Sequence, residues 1–303
     1  MKLERSRIPK RVRVVEVGPR DGLQNEATPV ATEDKVRYLE LLAAAGLTTL
    51  EAGSFVRPDR VPQLADSDEV FARLAPAEGV RYVALVPNLK GLERALACGA
   101  RSVAVFAAAS DGFNKANINM TVAESLEVQR PVVERARREG LWVRGYVSTG
   151  FGCPYDGEVK PEKVRDVVMA LAYMGVDEIS LGDTIGVATP TAVERVVALV
   201  LDRFPVERLA LHFHDTRGTA LANVLAGLMM GVSVFDASSG GLGGCPFAPG
   251  ASGNLATEDL VFMLDGMGVE TGVSLAKVAE ASRFIGGVLG RALPSRYLQA
   301  GPA

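Results

Sequence analysis

Histidine, cysteine and tryptophan are all scarce in this sequence of 303 residues, at two, three and one. Cys98, Cys153 and Cys245 are odd in number and far apart. That excludes a disulfide framework and a paired-cysteine zinc site, so a cysteine with a role must act as a thiol. No apolar run approaches the ~18 residues that span a bilayer. The basic start MKLERSRIPKRVRV lacks the apolar segment of a secretory signal. Charge is not biased either, with 33 basic against 36 acidic side chains, so nothing points to nucleic acid as a partner. The final Ala-Gly-Pro-Ala carries no peroxisomal address. What remains is the expectation of a cytoplasmic, globular protein with no membrane or nucleic-acid partner, 48% hydrophobic and able to bury a large core.

Against those absences stands a strong repeat of architecture. Short β-branched runs recur at 12–18, 48–55, 81–88, 102–110, 141–150, 178–184, 209–215 and 234–240. Between them lie segments with apolar residues at helical spacing, such as EDKVRYLELLAAAG, GLERALACGA and TAVERVVALVLDRF. Eight strand-helix units with no linker or low-complexity break predict an α/β fold of one kind, a (β/α)8 TIM barrel. The whole of 1–303 is read as a single catalytic domain, with an additional C-terminal helical extension at about 270–298.

Both histidines fall in ALHFHDTRG, as His212 and His214. In a strand, residues i and i+2 share a face roughly 7 Å apart, so two imidazoles can reach one point. An isolated pair of this kind is more often a wet edge of a sheet. Here the context favours a site, because barrels of this class place their chemistry at the C-terminal ends of the strands. Arg20 and Asp21 follow the first run, Glu51 lies in the second, Asp183 ends the sixth, and the histidines end the seventh. Two imidazoles with oxygen donors suit Mg2+, Mn2+ or Zn2+, and an oxygen-rich set with open positions fits an octahedral ion best. Asp21 and Asn254 are the expected oxygen ligands.

The stretch 240–254 is dense in glycine and contains Cys245. It reads as a phosphate-cradling loop or as a mobile cover that carries the thiol, and the second is preferred. Cys98, inside ALACGA, reads as a small packed hydrophobe. Cys153, in GCPYDG, stays undecided.

The stretches VEVGPRDGLQNE (15–26), EAGSFV (51–56), NLKGLERAL (88–96), GYVSTGFGCPYDG (145–157), EISLGDTIG (178–186), HFHDT (212–216) and GGLGGCPFAPGASGNLATEDL (240–260) resemble the 3-hydroxy-3-methylglutaryl-CoA lyase family. The likeness runs over nearly the whole chain. It implies cleavage of that acyl-CoA thioester to acetyl-CoA and acetoacetate with a divalent cation, Mg2+ or Mn2+, in a homodimer. Carried over position by position, it implies Asp21, His212, His214 and Asn254 as metal ligands. It also implies Arg20, Glu51, Asp183 and Cys245 as catalytic residues; the chemistry needs a base and then an acid, and His212, Asp183 or Cys245 can fill those roles. The chain departs from the family's better-known members at Arg217, Gly218 and Thr219, at Pro58, Asp59 and Arg60, and at Met120. These positions flank the mouth and bear on the acyl group accepted. Two alternatives stay open: a related lyase or a Claisen-type synthase on the same barrel, and a binding barrel whose metal has no catalytic role.

Overall fold

Each β-branched run forms a strand, and the eight strands close on themselves. The structure, a computed structural model, describes residues 8–244 and 253–301. The strands are β1 (Arg13–Glu16), β2 (Thr49–Ser54), β3 (Arg81–Leu85), β4 (Ser102–Ala108), β5 (Trp142–Ser148), β6 (Glu178–Asp183), β7 (Leu209–Phe213) and β8 (Val234–Ala237). All pair in parallel in chain order, and β1 pairs with β8 to complete a closed barrel. The helices are α1 (Thr32–Ala44), α2 (Ser67–Arg73), α3 (Leu89–Ala97), α4 (Asp111–Ile118), α5 (Val122–Arg138), α6 (Pro161–Met174), α7 (Pro190–Leu201), α8 (Ala220–Met229), α9 (Thr257–Gly266), α10 (Leu275–Leu289) and α11 (Arg296–Ala300). The predicted (β/α)8 barrel is the observed fold.

Local chemistry sets the helix starts. Asn88 caps α3 by accepting the Gly91 amide at 3.0 Å, and Thr121 with Glu124 forms a reciprocal capping box on α5. Proline opens α6 and α7, where a missing N–H costs nothing. One face of the strands packs Val14, Leu50, Val103, Ile179, Leu211 and Phe235 with the apolar stripes of the helices. α10 lies against α1, and the Ser274 amide ties its start to the Ala45 carbonyl at 2.7 Å.

The other face of the strands lines the barrel axis, and its middle is polar. Arg144 of β5 has no exposure, and its guanidinium binds Glu178 of β6 at 2.9 Å and Asp236 of β8 at 2.6 Å. Arg13 of β1 closes the bottom of the array on Glu178. A buried charge is tolerated only when paired and hydrogen-bonded. This array satisfies that condition with partners from four strands, which fixes their relative heights in the barrel.

Candidate functional site

The chain leaves β1 through a π-helical turn, Gly18–Gly22, in which the Asp21 and Gly22 amides both return to the Val17 carbonyl, at 2.8 and 3.2 Å. Such turns are rare and concentrate at functional sites. This one carries Arg20 and Asp21. Gly18 is required because a Cβ there would stand 2.6 Å from Glu16 Oε1 and 2.7 Å from the Tyr38 hydroxyl.

Arg20 is buried, and its two terminal nitrogens divide their work. Nη2 meets Glu51 Oε2 at 2.6 Å, whereas Nη1 donates to Asp21 Oδ1 at 2.8 Å and to Gln24 at 3.3 Å. Burial works against its charge, but Glu51 and Asp21 outweigh burial and leave the guanidinium still harder to deprotonate. Glu51 has the opposite balance: burial raises its carboxyl above the usual range although Arg20 pulls it down.

At the end of β7, the rings of His212 and His214 lie with centroids 5.2 Å apart, tilted 51° to one another. Ligand atoms of Asp21, His212 and His214 all lie within 4.8 Å of one another. Asn254 joins them because it bridges His214 in antiparallel fashion, and its amide donates to Asp21 Oδ2 at 2.8 Å and to the Leu242 carbonyl at 3.1 Å. Gly243 sits at φ +111°, where a Cβ would come within 2.6 Å of that same amide, so only glycine lets the loop pass. The resemblance-based ligand set is thus brought together in space from β1, β7 and the segment before α9.

The donor chemistry fits a divalent cation. Asn254 Oδ1 and His214 Nδ1 are buried and make no hydrogen bond among the described residues. Burial, then the neighbouring His212, pushes His214 down to about 3, so it is a neutral imidazole at physiological pH. Burial opposes ionisation of Asp21, but the Arg20 guanidinium, then His212, outweigh it and hold the carboxyl below its usual value. One anionic oxygen, two imidazoles and one amide oxygen form a mixed set of the kind that binds Mg2+ or Mn2+.

The remaining candidates separate. Asp183 is buried at the end of β6, but its Oδ1 accepts the Val187 amide at 2.9 Å and its Oδ2 the Ala188 amide at 3.0 Å. Those bonds shape the loop before α7. Burial nonetheless raises its carboxyl, against both amides and His212. Cys245 lies outside the described residues. Cys98 is half-buried on α3's C-terminal cap, and Cys153 is buried with its sulfur accepting the amides of Tyr155 and Asp156 at 3.4 and 3.3 Å. Arg217 donates to the Ile185 and Gly186 carbonyls at 2.8 and 2.9 Å, which ties the β7 loop to the β6 loop. Reading the sequence missed Asp236, Arg144 and Ser180 beneath the histidines. The signal was present as polar residues at alternate positions of WVRGYVS, EISLGD and VFDA, since period two puts them on the inner face.

Comparison with known proteins decides the family, because the HMGL-like family matches residues 11–285. The chain belongs to the HMGL-like family. This HMGL-like chain is 53% identical over 293 residues to the 3-hydroxy-3-isohexenylglutaryl-CoA/hydroxy-methylglutaryl-CoA lyase of Pseudomonas aeruginosa, covering 97% of the chain and 98% of the relative. The crystal structure of hydroxymethylglutaryl-CoA lyase from Pseudomonas aeruginosa superimposes with a TM-score of 0.95 at 52% identity, covering 97% and 98% of the two chains. An HMG-CoA lyase from Acinetobacter baumannii, solved with coenzyme A and 3-methylmalate, matches with a TM-score of 0.92 at 42% identity over 96% and 95%. The HMGL-like chain is accordingly an enzyme of the lyase kind.

Proposed function

We propose that this enzyme cleaves 3-hydroxy-3-methylglutaryl-CoA to acetyl-CoA and acetoacetate, with Mg2+ or Mn2+ held by Asp21, His212, His214 and Asn254. The observation that carries this reading is the convergence of three side chains able to ligate a metal, within 4.8 Å of one another, beside a buried Asn254 oxygen that has no hydrogen bond among the described residues. The Acinetobacter relative, solved with coenzyme A, supports an acyl-CoA as the substrate class.

Breaking the bond between C2 and C3 requires loss of the 3-hydroxyl proton, collapse of the alkoxide to a ketone, and a thioester enolate as the departing group. When bound, the cation lowers the pKa of a chelated hydroxyl and fixes the reacting bond. Arg20 supplies a permanent positive charge for the thioester oxygen as enolate charge develops. Glu51 and Asp21 hold that guanidinium from two sides, so it does not reorganise during the reaction. Asp183 is the proton carrier this reading assigns at the mouth, and Cys245 joins it by resemblance to the family. A carboxyl raised by burial, as Asp183 is, keeps a proton closer to neutral pH and so can give one back.

A second reading concerns the acyl group. The Pseudomonas relative carries two substrate names, one of them with a 3-isohexenyl group. Arg217 and the segment Pro58 to Arg60, where the chain departs from the family's better-known members, are the positions this reading assigns to such a difference. Product analysis with both thioesters tests this proposal. Release of acetoacetate and acetyl-CoA from the 3-methyl substrate supports it, and turnover confined to the 3-isohexenyl substrate replaces it with the second reading.

A further inference from the structure

The buried charges beneath the histidines are arranged as a positioning device. Resting on the metal reading above, we propose that Asp236, fixed by Arg144 and Ser180, holds the Nδ1 proton of His212 and so commits Nε2 of that ring to the cation.

A neutral imidazole exists as two tautomers, and only the unprotonated nitrogen can ligate a metal. A histidine left to itself spends part of its time in the wrong form. His212 and Asp236 are direct partners across the β7–β8 pair, and His212 Nδ1 faces Asp236 Oδ2 at 3.4 Å. The two nitrogens lie on different edges of the ring, so the one left for the ligand cluster is Nε2.

Asp236 can impose this choice because it cannot turn. It has no exposure to solvent on its side chain. Its Oδ1 accepts Arg144 Nη2 at 2.6 Å, and its Oδ2 accepts Arg144 Nη1 at 3.1 Å and the Ser180 hydroxyl at 2.9 Å. Arg144 is itself clamped, with Nε on Glu178 at 2.9 Å and Nη1 on the Tyr146 hydroxyl at 2.8 Å. A two-pronged guanidinium-carboxylate pair sets the plane of the carboxylate as well as its place. His214 has no such partner, since its Nδ1 is buried without a hydrogen bond among the described residues. The two ligating rings are therefore held differently, His212 by a carboxylate below it and His214 by its place in the backbone bridge with Asn254. Asp236 is a positioning residue in this account, because it acts through His212.

The scarcity of histidine makes the test direct. With two histidines in the chain, 15N-histidine labelling gives two imidazole spin systems, and His214→Gln assigns them. In metal-free wild-type protein, at a pH where His212 is neutral, long-range nitrogen-proton correlation should show its proton on Nδ1. Asp236→Asn should shift the ring toward the Nε2-protonated form and weaken Mn2+ binding, measured by calorimetry with Mn2+ alone, by ~10- to 100-fold. Ser180→Ala keeps the Arg144–Asp236 pair and should give a smaller change in the same two readings. It decides the matter if Asp236→Asn does not fold. A wild-type His212 protonated on Nε2 would overturn the proposal. So would unchanged tautomer and Mn2+ affinity in whichever of these variants folds. Wild-type protein that binds no Mn2+ but shows the Nδ1 tautomer would contradict the metal reading and leave the role of Asp236 on the ring standing.

Discussion

Arg20, on the turn after β1, reaches Glu51 of the neighbouring β2 at 2.6 Å, and the Glu51 side chain has no exposure to solvent. A guanidinium held this way is a rigid donor rather than a mobile surface charge, which is what stabilisation of a developing enolate needs. Arg20→Met should therefore lower kcat by ~10²-fold or more while KM changes little. Glu51→Gln should give a milder fall in kcat, because the amide still accepts from Arg20 but no longer pins it with charge. Steady-state kinetics on the acyl-CoA substrate check both. A change confined to KM would reassign Arg20 to substrate binding.

Beneath the turn that carries Arg20 lies a pair of buried carboxyls. Glu16 accepts the Gly18 and Ser239 amides, both at 2.8 Å, and lies 2.7 Å from the Thr257 hydroxyl, while Glu258 accepts the Gly240 amide at 2.8 Å and bonds Ser282. Burial pushes Glu16 from 4.5 up to about 8 and Glu258 from 4.5 up to about 7, against those hydrogen bonds. A carboxyl raised on folding binds its proton more tightly in the native state. Its contribution is complete below the unfolded value of 4.5 and is lost as pH climbs toward 7 to 8. Stability to urea should fall over that window. Glu16→Gln, which resembles the protonated form, should flatten the fall, each pKa unit being worth roughly 1.4 kcal/mol. A wild-type profile that rises through the window would contradict this assignment.

Arg144 couples β5, β6 and β8 through ions that water does not reach. Arg144→Met leaves Asp236 and Glu178 without this partner in the barrel interior, which typically costs ~3 to 5 kcal/mol. Denaturant unfolding should show that loss, and the wild-type pair should be nearly insensitive to added salt because buried ions are weakly screened. A loss below ~1 kcal/mol, the size of a surface ion pair, would mean that the interior is wetter than the geometry indicates.

For Cys245 the expectation rests on the resemblance to the family. Cys245→Ala should reduce kcat by ~10² to 10⁴-fold with the melting temperature unchanged, the pattern of a thiol that moves a proton. A lowered melting temperature with near-normal turnover would make it a packing residue.

Strand periodicity makes the barrel legible in the sequence. Eight β-branched runs with helical spacing between them leave few other folds, and all eight form strands. The convergence of Asp21, His212 and His214 is legible for a related reason, since a barrel gathers strand ends at one rim and the unusual side chains stand at those ends. Asp183 shows the limit of that reasoning. Its place at a strand end is as expected, but position alone does not show that both its oxygens accept loop amides. Arg144 and Asp236 escape notice because polar residues inside strands usually signal a wet face. Only closure of the barrel turns that face into an interior. The π-helical turn at Gly18–Gly22 is equally hidden, since no propensity distinguishes it from an ordinary turn.

Carbon-carbon cleavage that depends on a cation can be tested with metal-stripped enzyme. Wild-type protein and His214→Ala would be freed of metal with chelator, then titrated with Mg2+ and Mn2+ while acetoacetate and acetyl-CoA are followed together. The account predicts no turnover without metal and full recovery for wild type. For His214→Ala it predicts partial recovery only at much higher cation concentration, because one lost ligand weakens a polydentate site without abolishing it. Undiminished turnover in chelator, or a titration of His214→Ala that overlays wild type, would contradict it.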